Sequence, residues 1–287
     1  MARNNQDRVG STARNEDAPV SEAVGSNNGS LSFTTPTEFV ELPTAGKFYP
    51  PEHPLHNQET VEIRYMTAKD EDILTSRALL KKGLAIDRLL ENIIVDKKIK
   101  TNSLFVGDKN AIIIAARITG YGEKYETKVT CPVCNITQDH SFDLEEQRAV
   151  DDLSERVEEY EVKETDSMTY TVTLPRTKAE VEMRLLTGVD EKRLAATAEK
   201  RRKHKLPESS MTGQFKLFIV SVNGHDDANS INSFVDNMPA SDSRHLRSAY
   251  ASVVPNVDLT QEFMCIACGY ETEMEVPFTA DFFWPKR

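Results

Sequence analysis

The sequence is poor in the features that mark several large classes of protein. Its 287 residues include one tryptophan and four cysteines, and aromatic residues make up 7% of the chain. Asp and Glu number 46 against 35 Lys and Arg, so the net charge of −11 argues against a general nucleic-acid binder, which needs a basic face. No apolar run approaches the ~20 residues of a membrane span, and the N-terminus lacks a secretory signal. We therefore expect a soluble, intracellular protein in a reducing compartment.

Catalytic motifs are missing as well. The sequence contains no GxGxxG, Walker, HExxH or GxSxG pattern. Its six histidines are scattered, and only His53 and His56 are close in sequence. We interpret these two as caps of a loop or as surface residues rather than metal ligands, because no cysteine or carboxylate motif accompanies them. The run from His225 to Asp227 is interpreted as a polar turn, so no enzymatic activity is predicted.

Residues 1–35 form a polar string with no aromatic residue before Phe33. Such a segment cannot bury enough apolar surface to offset the ~1–2 kcal/mol per residue that backbone ordering costs. We predict a disordered N-terminal tail.

Residues 36–144 are predicted to hold a strand, a helical subdomain and the first pair of cysteines. Alternation at Val61, Ile63 and Tyr65 predicts the strand, and Thr67 is expected to cap a helix that ends near Gly83. A second, strongly amphipathic helix is predicted from residues spaced at i, i+3, i+4, i+7 and i+8, namely Ile86, Leu89, Leu90, Ile93 and Ile94.

A third helix is predicted over Ala111–Ile118, capped by Asp108 and closed by Gly120 and Gly122. Three short helices joined by small loops suggest a subdomain that buries its own apolar stripe.

Residues 145–260 are predicted to form a small inserted α+β module. The acidic stretch 145–165 is interpreted as a solvated helix or linker. Two strands separated by a turn at Pro175 are expected after it. A charged helix over 190–205 and an amphipathic helix over 211–222 should follow. One more helix is expected, capped by Ser241 or Ser243.

The four cysteines occur as two CxxC pairs, Cys131 with Cys134 and Cys265 with Cys268, each between strand-like flanks. Two such turns supply the four thiolates of a tetrahedral zinc site, and their flanks resemble the two hairpins of a zinc ribbon. The 130 residues between the pairs are no obstacle. Closing so long a loop costs ~4 kcal/mol, against ~10–16 kcal/mol for binding structural zinc. Residues 261–287 would carry the second pair and the C-terminal segment.

The CxxC pairs have two alternatives to zinc. A thioredoxin-like redox pair needs a CxxC at the start of a helix, and disulfides within the turns need an oxidising setting. The strand context and the expected compartment favour structural zinc over both. A catalytic zinc is disfavoured because four thiolates leave no open position for water.

Two long stretches carry a resemblance to a known family. The segments MTAKDEDILTSRALLKKGLAIDRLLENIIVDKKI and GDKNAIIIAARITGYGEKYETKVTCPVC resemble baseplate hub or baseplate hub assembly proteins of T-even-type phages and related cyanophages. The segment SDSRHLRSAYASVVPNVDLTQEFMCIACGYETEMEVPFTADFFWP resembles the same family, so the match spans about residues 38–287.

This resemblance implies a non-enzymatic structural or assembly role in the baseplate of a contractile tail. The implied partners are other baseplate hub proteins, with neither membrane nor nucleic acid expected. The implied location is the host cytoplasm during assembly and the baseplate of the virion. Family members vary in whether the cysteines are present, and all four present here support a metal-bound version.

The alternative is that the chain is a zinc-ribbon protein that binds nucleic acid or is associated with transcription. The second hairpin, GYETEMEVPF, holds three glutamates and no Lys or Arg, which counts against that class.

Aromatic residues offer partner anchors at two places. For Phe48 and Tyr49, binding a partner and packing on the same chain are both open. For Phe282, Phe283 and Trp284 we favour packing on the same chain.

Overall fold

The computed structural model describes residues 24–27, 30–145, 159–205, 210–277 and 280–283. The chain divides into two units, Met1–Thr37 and Glu38–Arg287. In the first, β1 (Val24–Asn27) pairs antiparallel with β2 (Ser30–Phe33), within the segment predicted to be a disordered tail. Residues 1–23 lie outside the described part, and the tail over 1–35 stays a prediction.

The second unit mixes helices with small antiparallel sheets, as the predicted α+β class requires. In chain order the elements that follow β2 are β3 (Thr37–Glu41), β4 (Thr60–Arg64), α1 (Ala68–Thr75), α2 (Arg77–Lys81), α3 (Ala85–Ile93), a 3-10 turn (Thr101–Ser103), α4 (Val106–Tyr121), β5 (Lys124–Thr130), β6 (Thr137–Asp143), β7 (Lys163–Glu164), β8 (Tyr170–Thr173), β9 (Glu180–Met183), α5 (Gly188–Lys203), α6 (Ser210–Phe218), β10 (Ile219–Val222), α7 (Ala228–Asn237), α8 (Ala240–Val253), β11 (Thr260–Met264), β12 (Glu271–Glu275) and a 3-10 turn (Ala280–Phe283).

The sheets are simple. β3 pairs with β4, β5 with β6 and β11 with β12, while the order β10-β9-β8-β7 makes one four-stranded sheet. Among the described residues no helix is both long and apolar enough to cross a membrane.

Buried side chains form two hydrophobic cores. The first collects residues from 40–144 and from 259–283, and the second collects residues from 162–253. Phe105 packs against both cores, and the Phe48 ring lies 6.3 Å from the Phe105 ring and 6.0 Å from the Tyr170 ring. The N-terminal and C-terminal segments of the second unit therefore share one core, while the segment between them builds its own.

The predicted helices of residues 36–144 are present with two differences. The chain is extended at Ser76, so the helix expected to run to Gly83 is two helices, α1 and α2. Asp108 is not the cap of the third helix, which begins at Val106 with Phe105 before it. The Asp108 carboxylate is instead fully buried against a loop more than fifty residues earlier, where it accepts hydrogen bonds.

The middle segment differs from prediction at three points. Ile219–Val222, expected to continue a helix, forms β10, because β-branched residues suit a strand and the edge of β9 is there to pair with. Helix α7 was not predicted, and Asp227 of the predicted polar turn caps it by accepting from the Ser230 amide at 2.9 Å. Helix α8 begins at Ala240, before Ser241 and Ser243.

One strand-to-helix corner occurs twice. After β4, both terminal nitrogens of Arg64 donate to the Asp70 carboxylate at 2.7 and 3.0 Å, and Asp70 also accepts from the backbone and hydroxyl of the N-cap Thr67. After β9, Arg184 donates to Asp190 at 2.8 and 2.9 Å in the same way. Each carboxylate closes a helix N-terminus and ties it to the strand before it.

Candidate metal centre

Each CxxC pair lies in the turn of a β-hairpin. Cys131 and Cys134 lie between β5 and β6, which pair from Lys124 with Asp143 to Thr130 with Thr137. Cys265 and Cys268 lie between β11 and β12. We call the turn segments 131–136 and 265–270 the two knuckles. Strand alternation buries one face of each hairpin in the first core, so both knuckles are carried by anchored strands.

The four thiol sulfurs converge on one point although 130 residues separate the pairs. The Cys131 and Cys268 sulfurs are 3.8 Å apart, the Cys134 and Cys265 sulfurs are 3.6 Å apart, and all four lie within 4.8 Å of one another. Four sulfurs around a tetrahedral ion with bonds of ~2.3 Å would be separated by ~3.8 Å. The cysteines are free thiols. This cluster can therefore hold a metal ion.

The two knuckles share one backbone conformation. The amide of the first cysteine donates to a carbonyl five residues later, from Cys131 to Ile136 and from Cys265 to Tyr270, both at 2.9 Å. The residue after each second cysteine has a positive φ, 56° at Asn135 and 68° at Gly269. Asn and Gly are the residues that adopt this conformation most easily, which explains their presence there.

Two buried glutamines join the hairpins, Gln138 next to the knuckles and Gln261 at the far end of β6. The Gln138 side chain donates to the Met264 carbonyl at 3.0 Å and accepts from the Ile266 amide at 2.9 Å. The Gln261 side chain accepts from the Asp143 amide at 3.0 Å and donates to the carbonyl of the same residue. Each glutamine reaches from one hairpin to backbone groups of the other, so the spacing of the knuckles is held by protein hydrogen bonds.

Backbone N–H groups favour the thiolate at Cys265, whereas at Cys134 and Cys268 the backbone N–H is outweighed by burial and hydrogen bonds with the other cysteines, which raise the pKa. The amides of Cys268 and Ala267 donate to the Cys265 sulfur and lower the pKa of this thiol to about 6. A thiolate is the form of cysteine that binds metal, so the local backbone prepares at least one ligand.

The structure disfavours the redox alternative. A strand, not a helix, follows each CxxC turn, so neither pair has the helix N-terminus that activates a thioredoxin-like thiol.

Neighbouring His140 is not part of the cluster. Its ring packs edge-on against Phe142 and Phe263 with centroids at 4.5 and 5.4 Å, and burial lowers its pKa.

His53 and His56 cap the loop between β3 and β4, one of the two roles expected for them. His53 stacks on Tyr49 with ring centroids 4.4 Å apart, accepts from the Leu55 amide and lies 2.8 Å from the Ser103 hydroxyl. His56 Nδ1 lies 2.6 Å from the Tyr49 carbonyl oxygen.

Of the aromatic residues considered as partner anchors, Tyr49, Phe282 and Phe283 are buried in the chain and Phe48 is partly buried. Tyr49 is 1% exposed and donates to the Asp108 carboxylate at 2.7 Å. Phe282 and Phe283 are both buried, and the Phe282 carbonyl accepts from buried Arg117 at 2.7 Å. Packing on the same chain, favoured for these two C-terminal residues, is confirmed. Trp284 lies outside the described residues.

Comparison with known proteins identifies the family. The model of the family described as T4 bacteriophage base plate protein matches residues 36–284. The chain belongs to this family. No curated protein and no solved structure matches the chain. The matched range leaves out residues 1–35 and includes both CxxC pairs, so the resemblance noted in the sequence is confirmed over the second unit.

Several residues that shape this base plate protein were not singled out by the sequence. Gln138 and Gln261 carried no recognisable signal, because their partners lie more than 110 residues away. The two strand-to-helix corners did carry one. The pattern VExRxxTxxDE occurs at 61–71 and again at 181–191, and comparing the sequence with itself would have found it.

Proposed function

We propose that this chain is a non-enzymatic structural or assembly protein of the baseplate hub of a contractile phage tail. The family supports a baseplate role and association with other baseplate components. The observation that carries the proposal is the convergence of four thiols from two hairpins 130 residues apart. Such a site serves to hold chain segments together, and a full set of four thiolates leaves no position for a reacting water.

The proposed metal is one structural zinc ion, bound by Cys131, Cys134, Cys265 and Cys268. The sulfur separations of 3.6 and 3.8 Å suit a tetrahedral zinc, and the paired hairpins then make a zinc ribbon. When bound, the ion supplies cross-linking of the two knuckles. The glutamine bridges set the spacing, and the amides around Cys265 favour the thiolate.

The ribbon would be interrupted by an inserted module at about 145–260. Support comes from the second core, whose residues all lie between 162 and 253. The first core holds residues from both sides of that segment. Residues 146–158 of the acidic stretch lie outside the described part, so the boundary there rests on composition. In this arrangement zinc keeps the helical subdomain and the module in a set orientation for partners to recognise.

Metal analysis and complementation test the proposal together. Protein purified without chelator should hold about one equivalent of zinc per chain. A phage lacking this gene should form incomplete baseplates, and the double variant Cys131→Ser Cys134→Ser should fail to restore them. Ala267→Ser is the matched control, since it places a serine in a CxxC turn and keeps all four thiols.

Two results would contradict the proposal. Normal tails from a phage without the gene would remove the assembly role. A reduced, metal-free protein of unchanged thermal stability would remove the structural zinc, and an equivalent of iron would replace zinc as the metal.

A further inference from the structure

The knuckles expose an unusual amount of apolar surface. Eleven large hydrophobic side chains are exposed in the described part of the chain, and five of them lie at 133–136 and 264–270. These five form what we call the knuckle patch: Val133, 60% exposed, Ile136, 47%, Met264, 58%, Ile266, 81%, and Tyr270, 38%. Single exposed hydrophobic residues are ordinary, but a cluster on one feature marks an interaction site.

The five side chains lie at the same end of the two hairpins, where the four sulfurs meet. The sulfurs of the two knuckles lie within 4.8 Å of one another, and the Ile266 amide is bonded to Gln138 of the opposite hairpin. Ile136 and Tyr270 occupy equivalent positions, since their carbonyls accept from the first cysteine of their knuckles. The patch is thus held in place before any partner arrives, which reduces the ordering cost of binding.

The hairpin that carries three of the five patch residues is acidic, whereas the first hairpin has exposed Lys124 and Lys128 beside exposed Glu126 and Asp139. Between residues 256 and 284 the sequence has six Asp or Glu and no Lys or Arg. Four exposed glutamates lie on β11 and β12, the strands that carry the second knuckle: Glu262, Glu271, Glu273 and Glu275. A complementary partner therefore presents Lys or Arg around an apolar pocket.

The same charge disfavours two other occupants. Nucleic acid would bring phosphates against the glutamates. In a symmetric dimer of this chain, each knuckle patch would face the acidic hairpin of the second copy.

We propose that the knuckle patch is the surface by which this chain docks into a basic-rimmed apolar pocket of another baseplate protein. The inference rests on the proposed baseplate function and adds the surface and the chemistry of its partner. Ile266 and Val133 supply the apolar contact, and the glutamates of β11 and β12 supply orientation.

Complementation with matched serine variants tests the surface. Val133→Ser Ile266→Ser should lower the yield of complete baseplates at least tenfold while keeping its metal content. Leu80→Ser Val189→Ser is the control, because these side chains are 44% and 40% exposed away from the knuckles, and its yield should equal that of wild type. Equal yields from the two double variants would overturn the inference and leave the proposed function standing. Normal baseplates without the gene would overturn both.

Charge reversal guards against misfolding of the serine variant. Glu271→Lys Glu273→Lys changes exposed positions on β12 and should also lower the yield at least tenfold, and an unchanged yield would count against the inference.

A photo-crosslinking amino acid placed at position 266 during infection identifies the occupant. We expect an adduct with a second baseplate protein whose crosslinked peptide contains Lys or Arg beside apolar residues. An adduct with a copy of this chain, with nucleic acid, or with none of them would overturn the inference.

Discussion

The segments 38–143 and 170–276 of the second unit repeat one order of features, and their differences show which features matter. Each has a strand, a Leu-Pro turn, a second strand, the Arg-Thr-Asp corner, helices, and finally a hairpin with a CxxC knuckle. After β4 the chain returns to the sheet only through a single bridge between Ile63 and Ile94. After β9 it returns as a whole strand, β10. Corners and knuckles are therefore kept while the layers between them vary.

A buried aspartate at the third position of a helix appears in both segments. Asp108 of α4 accepts from the backbone amide and hydroxyl of Thr44, just after the Leu42-Pro43 turn, and from the Tyr49 hydroxyl. Asp242 of α8 accepts from the amides of Arg176 and Thr177 and from the Thr177 hydroxyl, just after Leu174-Pro175. In each segment an aspartate at the third position of a helix therefore ties the Leu-Pro turn to the start of that helix.

The two aspartates differ in electrostatics. Burial raises the pKa of Asp108 despite its hydrogen bonds from Thr44 and Tyr49. Burial also acts on Asp242, but hydrogen bonds from Thr177 and Arg176 prevail and lower its pKa. Backbone amides can only donate, so the two amides at Asp242 stabilise its carboxylate. The two hydroxyls at Asp108 can donate or accept, so they can bind a carboxylate or a neutral acid. An equivalent position therefore does not imply an equivalent pKa.

The largest expected effect distinguishes the two corners. Arg64→Met should lower the free energy of unfolding by about 3 kcal/mol, because it leaves the fully buried Asp70 carboxylate without its cation. Arg184→Met should cost less. Its side chain is 35% exposed, and Arg193 lies 3.9 Å from the same Asp190 carboxylate. Urea unfolding followed by circular dichroism measures both.

Acid provides a check on the first corner. Although burial opposes it, hydrogen bonding from Arg64, Thr67 and Asn92 lowers the pKa of Asp70 to about 2. The folded pKa lies below the unfolded value of about 3.9, so the stabilisation is present above that value and disappears as pH falls towards 2. The gap between wild type and Arg64→Met should shrink in that window. Arg88→Met, at an exposed pair with Glu91, is the control and should change stability by less than about 0.5 kcal/mol. Equal losses at Arg64 and Arg88 would contradict the role of the corner.

How far the sequence predicts this fold follows from the range of each interaction. The strand at Val61 and Ile63, the cap at Thr67 and the helix around Leu89 and Leu90 were predicted correctly, because their signals lie within a few residues. The convergence of the four sulfurs also followed from spacing, although metal binding itself stays a prediction.

The failures share a long-range cause. The prediction that Asp108 caps a helix was wrong, because Asp108 is buried against Thr44, 64 residues earlier. The prediction that Ile219–Val222 is helical was wrong, because this segment forms a strand by pairing with β9. In both places the partner that decides the structure is distant in sequence, and local periodicity cannot report it.

A smaller difference in stability should separate substitutions of the two helix aspartates, Asp108 and Asp242. Asp242→Asn must turn its amide N–H₂ towards a backbone N–H whichever way it flips, and one unsatisfied donor costs about 1–3 kcal/mol. Asp108→Asn should cost less, because burial raises the pKa of Asp108 and so disfavours its charged form, and the amide that replaces it is neutral.

The pH dependence of these two variants should have opposite signs. With a lowered folded pKa, Asp242 contributes stability that is present above the unfolded pKa of about 3.9 and is lost as pH falls below it, so the cost of Asp242→Asn should grow as pH rises from about 3 to about 5. With a raised folded pKa, Asp108 contributes less as pH rises, so the cost of Asp108→Asn should shrink. This window lies below the ordinary titration of histidine. Urea midpoints at the two pH values measure both differences, and parallel trends would contradict the comparison.

The smallest expected effect lies at the knuckles, where the residue after the second cysteine differs between the hairpins. Asn135→Gly should leave stability within a few tenths of a kcal/mol of wild type, because both residues adopt a positive φ. Gly269→Asn should be similarly mild, since no described atom lies within 4 Å of the position that a Cβ would occupy. Gly269→Val is the contrasting variant, and its branched side chain should cost at least ~1 kcal/mol through backbone strain alone. Thermal unfolding with chelator competition measures stability and retention of the proposed metal together. If Gly269→Asn released the metal as readily as Gly269→Val, backbone conformation would not be what the two knuckles share.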